Sequence, residues 1–193
     1  MRALIYDRTC VTDRGRLSPI WAMGARLYQR LGRIDLARGV ASWSEAVAWL
    51  AEQRDPIDEI QYWGHGKWGC ALIDGHELDA TSLEVLEPVR RRLAAEALVW
   101  FRTCETFGTT RGIHFAESLS DFLGARVAGH TYVIGFHQSG LHGLRPGRRA
   151  DWSAEEGLAA GTAAVPERAK RSAPWAPRTI TCLGGEVPIG WFA

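Results

Sequence analysis

The sequence lacks an excess of either charge: 23 Lys and Arg stand against 22 Asp and Glu in 193 residues, a formal net charge of +1. A balance of this kind supplies no field for holding nucleic acid or an anionic membrane, so neither is expected as the main partner. Long apolar runs are also missing. None approaches the roughly 20 residues that cross a bilayer, and Met1-Arg-Ala-Leu-Ile-Tyr-Asp7 meets charge too early for a signal peptide, so a cytoplasmic protein is expected. The four cysteines, Cys10, Cys70, Cys104 and Cys182, include no Cys-x-x-Cys pair, as expected of reduced thiols rather than a disulfide framework. Neither a Gly-x-Ser-x-Gly elbow nor a phosphate-binding P-loop occurs, which removes support for the functions those motifs carry. No motif calls for a cofactor, and none is expected.

Among what is present, nine tryptophans are expected mainly in the core or lining a pocket. At 46% hydrophobic residues the chain is long enough for one core, and a single domain over 1–193 is expected. Residues 2–7 read as a buried strand. Ser18-Pro19 reads as an N-cap and first helical proline, with Ile20, Met23, Leu27 and Leu31 on one face and Gly32 as the stop. A weaker strand is expected at 33–36. The capping box Ser42-Trp-Ser-Glu45 opens a helix turning Trp43, Val47 and Leu50 inward, and Asp55-Pro56 ends it. Residues 57–63 form a third strand, and the short apolar arms about Asp74-Gly75 form a hairpin. A turn near Thr81 is expected before a helix starting near Pro88 and packing Val89 and Leu93. Then come a strand at 97–103, a helix capped by Thr109 or Thr110 with Ile113, Ala116, Leu119 and Leu123 inward, and a fifth strand at 126–134. Residues 135–178 lack periodicity and read as one long loop, apart from a short helix near 151–160; a last strand is expected near Thr179. Alternating strands and helices of these lengths predict an α/β fold with a mostly parallel sheet.

Two strands end on reactive side chains. Ile60-Gln-Tyr-Trp-Gly-His-Gly66 delivers His65, and Ala97-Leu-Val-Trp-Phe-Arg-Thr-Cys-Glu-Thr-Phe-Gly108 delivers Cys104. In open parallel sheets ligands bind beyond the carboxyl ends of the strands. An ordinary thiol is only a few per cent ionised at neutral pH, so a nucleophilic cysteine needs help. For Cys104 the following helix N-terminus and a protonated His65 would supply it, and His65 would then protonate the leaving amine. The N–H groups of Gly66 and Cys104 are candidates for an oxyanion hole, and Glu105 or Asp7 for orienting or charging the site. The base-rate alternative is an inert buried cysteine. His65, Cys70 and His76 have spacing that admits zinc, but no fourth ligand is evident and the hairpin already accounts for the interval; no metal is expected. His130, His137 and His142 read as strand and loop histidines.

A strand ending in His-Gly, a hairpin, a helix, a strand ending in Cys and a helix straight after it resemble the caspase-like cysteine peptidases, with bacterial CHAT-type domains the nearer likeness. The resemblance spans about residues 3–135. Thr103 departs from the Ala or Gly often found before the nucleophile in that group. The resemblance implies a three-layer sandwich and a His65–Cys104 dyad acting on an extended peptide or protein substrate. It also implies a pocket lined from the end of the first strand, where Asp7 would favour Arg or Lys and Arg8 an acidic residue; basic is the weak preference. Cleavage of the chain itself would fall at the basic stretches 145–149 and 168–171. The other expectation is a catalytically silent module of the same architecture that binds a partner protein; an activating partner is compatible with either.

Overall fold

A computed structural model describes residues 1–11 and 16–193. In chain order the elements are β1 (Arg2–Asp7), α1 (Leu17–Arg30), β2 (Leu36–Val40), α2 (Trp43–Ala51), β3 (Ile57–Trp63), β4 (His65–Lys67), β5 (Cys70–Ile73) and β6 (His76–Asp79). A 3-10 turn at Leu83–Leu86 leads into α3 (Glu87–Arg90), followed by β7 (Leu93–Arg102), α4 (Thr109–Leu123) and β8 (Arg126–His130). Five short strands close the chain: β9 (His137–Gln138), β10 (Leu141–Leu144), β11 (Leu158–Gly161), β12 (Pro166–Ala169) and β13 (Ile180–Thr181).

The central sheet has the order β10-β8-β7-β3-β1-β2. All its pairs are parallel except β10 on β8. The fold is thus α/β with a mostly parallel sheet flanked by helices. Strand order reverses direction between β1 and β3, which makes the carboxyl edge there the topological switch point. On one face Ala3, Ile5, Ile60, Tyr62, Val99 and Phe101 meet α2, α3 and α4. On the other, Leu4 and Trp63 meet Ala25 and Tyr28 of α1, while Leu98 and Trp100 are covered by Ile180, Val187, Trp191 and Phe192. Burial on both faces explains why β1 and the later part of β7 read as apolar runs, while β3 carries Asp58, Glu59 and Gln61 before its buried end Tyr62-Trp63.

Local signals place several elements. Ser42 caps α2 by accepting the Glu45 N–H at 3.1 Å, and Glu45 reaches back to the Ala41 N–H at 2.8 Å. Asp74 (φ 51°) and Gly75 (φ 77°) form the tight turn between β5 and β6, and Gly124 (φ 61°) ends α4. Among the described residues no helix is long and apolar enough to cross a membrane.

The structure departs from the sequence reading in six places. Ser18 does not cap α1; its hydroxyl donates to the Asp7 carbonyl at 2.8 Å, and α1 begins at Leu17. The stripe Ile20, Met23, Leu27 and Leu31 faces solvent, because the sheet side of α1 is filled by Trp63 and Tyr28: a Cβ at Gly24 would lie 2.7 Å from the Trp63 ring. The second strand starts at Leu36 rather than Arg33, and Leu93 opens β7 instead of closing a helix. Thr109 and Thr110 do not cap α4, whose N-cap is Gly108. Most important, residues 135–178 are not one long loop and hold no helix at 151–160: β9, β10, β11 and β12 lie there, and β10 extends the central sheet. These strands have two to four residues, too short to show a period, and two of them pair with distant partners, β10 with β8 and β9 with β13.

Candidate functional site

β3 and β7 are adjacent and parallel, with Trp63 in register with Arg102. Two residues past that pair lie His65 and Cys104, both just beyond the sheet's carboxyl edge. The two segments touch through Gly66. A Cβ there would come 2.7 Å from the Cys104 carbonyl oxygen and 2.8 Å from Thr103 Cβ, so only glycine lets them meet this closely. Lys67 pairs with Cys70 across the two-residue turn at Trp68 and Gly69, and ladder alternation then turns the Gly66 N–H away from β5.

The turn carrying Cys104 is held rigidly. Glu105 has φ 46° and donates its N–H to the Tyr132 carbonyl at 2.9 Å, Phe107 donates to His130 at 3.0 Å, and the Gly69 N–H reaches the Thr106 carbonyl at 3.0 Å. Thr103, fully buried, bonds the Thr106 hydroxyl, so the residue that departs from the small type is part of the turn's own support. Cys104 Sγ lies 3.9 Å from the Ile134 carbonyl oxygen. Burial pushes this thiol up from its ordinary value; the Ile134 contact opposes the rise, Glu105 adds to it, and Arg171 and Lys67 work against it.

His65 is half-buried. Its Nε2 lies 3.2 Å from Cys10 Sγ, and its ring meets Trp21 of α1 edge-on at 5.4 Å between centroids. Cys10 was not singled out by sequence reasoning, although it lies three residues past the end of β1. The strand-end argument that selected His65 and Cys104 would have found it.

The other expected site residues are placed as follows. Asp7, buried at the end of β1, accepts the N–H of Thr9 at 2.7 Å and its hydroxyl at 2.6 Å. Arg8 is tied to Glu45 of α2 at 3.1 Å. Glu105 is buried with Lys67 3.5 Å away; burial raises its pKa and Lys67 opposes the rise. His65, Cys70 and His76 do not converge, and among the described residues no three His, Cys, Asp or Glu side chains gather as metal ligands. Gly64, Gly66 and Gly69 have the Gly-x-Gly-x-x-Gly spacing of dinucleotide loops, but they lead into the β4–β5 hairpin and not into a helix that could receive a pyrophosphate.

A partly buried polar network backs the turn and comes from the segment that reads as a loop. Trp152 stacks on Phe107 and donates Nε1 to its carbonyl at 3.1 Å, and His142 stacks on Trp152. Arg178 offers only donors, so His142 Nδ1, 2.7 Å from its Nη1, accepts, and Nε2–H donates to Glu156 at 2.9 Å. Burial would raise the Glu156 carboxyl, but His142, Thr131 and Arg178 outweigh it and hold the pKa low.

No curated protein and no solved structure matches the chain. A family model described as a domain of unknown function, DUF4347, matches residues 34–171, a stretch that includes His65, Cys104, His142, Trp152 and Glu156 but not β1, α1 or Arg178. The chain therefore belongs to the DUF4347 family.

Proposed function

We propose that this chain is a cysteine peptidase of caspase-like, three-layer architecture, with Cys104 as nucleophile and His65 as general acid and base. The observation that carries the reading is the equal offset of the two residues from the paired positions Trp63 and Arg102 on adjacent parallel strands, next to the switch point. In this mechanism Cys104 Sγ, as thiolate, bonds to the peptide carbonyl carbon. The oxyanion is held by the N–H groups of Gly66 and Cys104, and protonated His65 gives its proton to the amine as the C–N bond breaks. Water then attacks the thioester with His65 taking its proton, the C–S bond breaks, and the Cys104 thiolate and protonated His65 are restored as the acid leaves. The contact of His65 with Cys10 belongs to the resting state and gives way when substrate is bound. A basic residue before the scissile bond would have to draw the buried Asp7 carboxylate away from Thr9, while Arg8, the other candidate, is bound to Glu45. Cleavage of the chain itself at 168–171 requires local opening, because β12 and the Val133–Arg171 bridge hold that stretch.

The second reading is a catalytically silent module that binds a partner protein. It is favoured by the raised Cys104 thiol and by the engagement of His65 with Cys10. A positional library of fluorogenic peptides, presented to wild type, Cys104→Ala, His65→Ala and Cys10→Ala, separates the readings. Turnover lost in the first two variants and kept in the third establishes the peptidase. Turnover lost only in Cys10→Ala and His65→Ala moves the nucleophile to Cys10, and no turnover from any folded form leaves the binding module.

A further inference from the structure

The apolar stripe of α1 is a feature that the candidate site does not use. Ile20 (54% exposed), Met23 (67%), Leu27 (41%) and Leu31 (53%) follow at i, i+3, i+7 and i+11, the spacing of one helix face. The stripe runs along a 14-residue helix, about 21 Å at 1.5 Å per residue. Scattered exposed apolar residues need no explanation, but a continuous row marks a surface that another molecule covers.

The charge around the row says what that molecule is. Arg26 and Arg30 lie one step round the helix from Met23 and Leu27, and residues 17–33 contain no Asp or Glu. Among the described residues neither arginine enters an ion pair. A second copy of this chain is a poor occupant, because two α1 faces brought together would set arginines against arginines with no carboxylate from either helix. A lipid surface is also disfavoured. The stripe has no exposed aromatic, and the tryptophan of α1 that could enter a headgroup layer, Trp21, is turned towards His65.

We propose that α1 is a docking surface for a helical segment of another protein whose apolar stripe is edged by Asp or Glu. Leu and Met side chains of the two helices interdigitate, and the acidic edge meets Arg26 and Arg30. The same helix carries Trp21 against His65, so the occupied surface adjoins the candidate site.

The probe is a fluorescein-labelled 18-residue helical peptide with leucines at the matching spacing and Glu on its flanks, beside a version with Lys in place of Glu. Fluorescence anisotropy with the whole chain is expected to show the Glu peptide binding at least ten-fold more tightly than the Lys peptide, and more weakly as salt rises. Met23→Glu with Leu27→Glu removes binding while the thermal midpoint stays near wild type, since both positions are exposed. Arg26→Glu with Arg30→Glu reverses the preference between the peptides. Equal binding of the two peptides, or none, overturns the proposal. So does concentration-dependent self-association that Leu27→Glu abolishes, which assigns the face to a second copy, or binding to phosphatidylglycerol vesicles without binding to the Glu peptide, which assigns it to a membrane. All of these are read without catalysis, so the result stands apart from the peptidase reading.

Discussion

Arg102 is a buried cation that fastens the end of the chain to the sheet. It lies two residues before Cys104, and among the described residues no carboxylate pairs with it. Its Nε donates to Gln138 Oε1 at 3.1 Å, Nη1 to the Tyr28 hydroxyl at 2.6 Å and the Gly184 carbonyl at 3.1 Å, and Nη2 to Gln138 at 2.8 Å and the Cys182 carbonyl at 3.0 Å. The rings of Trp100 and Trp63 lie 4.5 and 5.3 Å from the guanidinium carbon. Removing the side chain in Arg102→Ala leaves Gln138 Oε1 without these donors and leaves the Cys182 and Gly184 carbonyls to share the one proton of the Tyr28 hydroxyl, which lies 2.8 Å from each, at about 1–3 kcal/mol for each acceptor that neither it nor water satisfies. Relief of the cation's own desolvation offsets part of the loss. The net expectation is destabilisation of about 3–5 kcal/mol. For a domain of this size that is a fall in thermal midpoint of about 10 °C, from about 2–4 °C per kcal/mol. Calorimetry measures the fall, and limited proteolysis should show residues after 179 cut first, because two of the lost bonds hold Cys182 and Gly184. Arg102→Lys, with the charge but not the fork, should fall between. Arg102→Met at or above wild-type stability would refute the reasoning, since desolvation would then outweigh every bond the guanidinium makes.

Three further perturbations test other parts of the structure. Gly66→Ala should cost about 1–3 kcal/mol in denaturant unfolding, because the new Cβ meets the Cys104 carbonyl and Thr103, and a neutral result would deny the close approach of the two segments. His130 is fully buried; burial pushes its pKa from 6.5 down to about 3, against the pull of the Ser139 carbonyl and with Arg102 adding to the shift. The unfolded imidazole takes up a proton that the folded one refuses, so this contribution is whole above pH 6.5 and shrinks by up to about 1.4 kcal/mol per pH unit towards pH 3. Stability against pH for wild type and His130→Gln should diverge in that window and run parallel above it. Ser42→Ala removes the cap of α2 and should cost about 1 kcal/mol, checked by the same unfolding assay.

Much of the carboxyl edge was legible because its signals are local. β1, the end of β3 and the later part of β7 are buried on both faces and read as apolar runs, and Asp74-Gly75 and the Ser42 box name their own backbone geometry. His65 and Cys104 were found because each ends such a run. Cys10 stood out less because Arg8 and Thr9 separate it from the apolar run of β1, and its tie to His65 joins residues 55 apart in sequence. The network of His142, Glu156 and Arg178 was hidden for a related reason: its members lie in two- to four-residue strands and turns whose order comes from distant partners.

The amino-acid sequence by itself determined the order of the main elements, the parallel character of the sheet and the pair of strand ends that carry reactive groups, since burial pattern, caps and turns act within a few residues. The tertiary structure alone decided which face of α1 lies outward, because Trp63 and Tyr28 fill the space on the sheet side where larger side chains of α1 would have to go. It alone decided that residues 135–178 complete the sheet and back the Cys104 turn, because strands this short show no period of their own and gain order only from the strands they pair with.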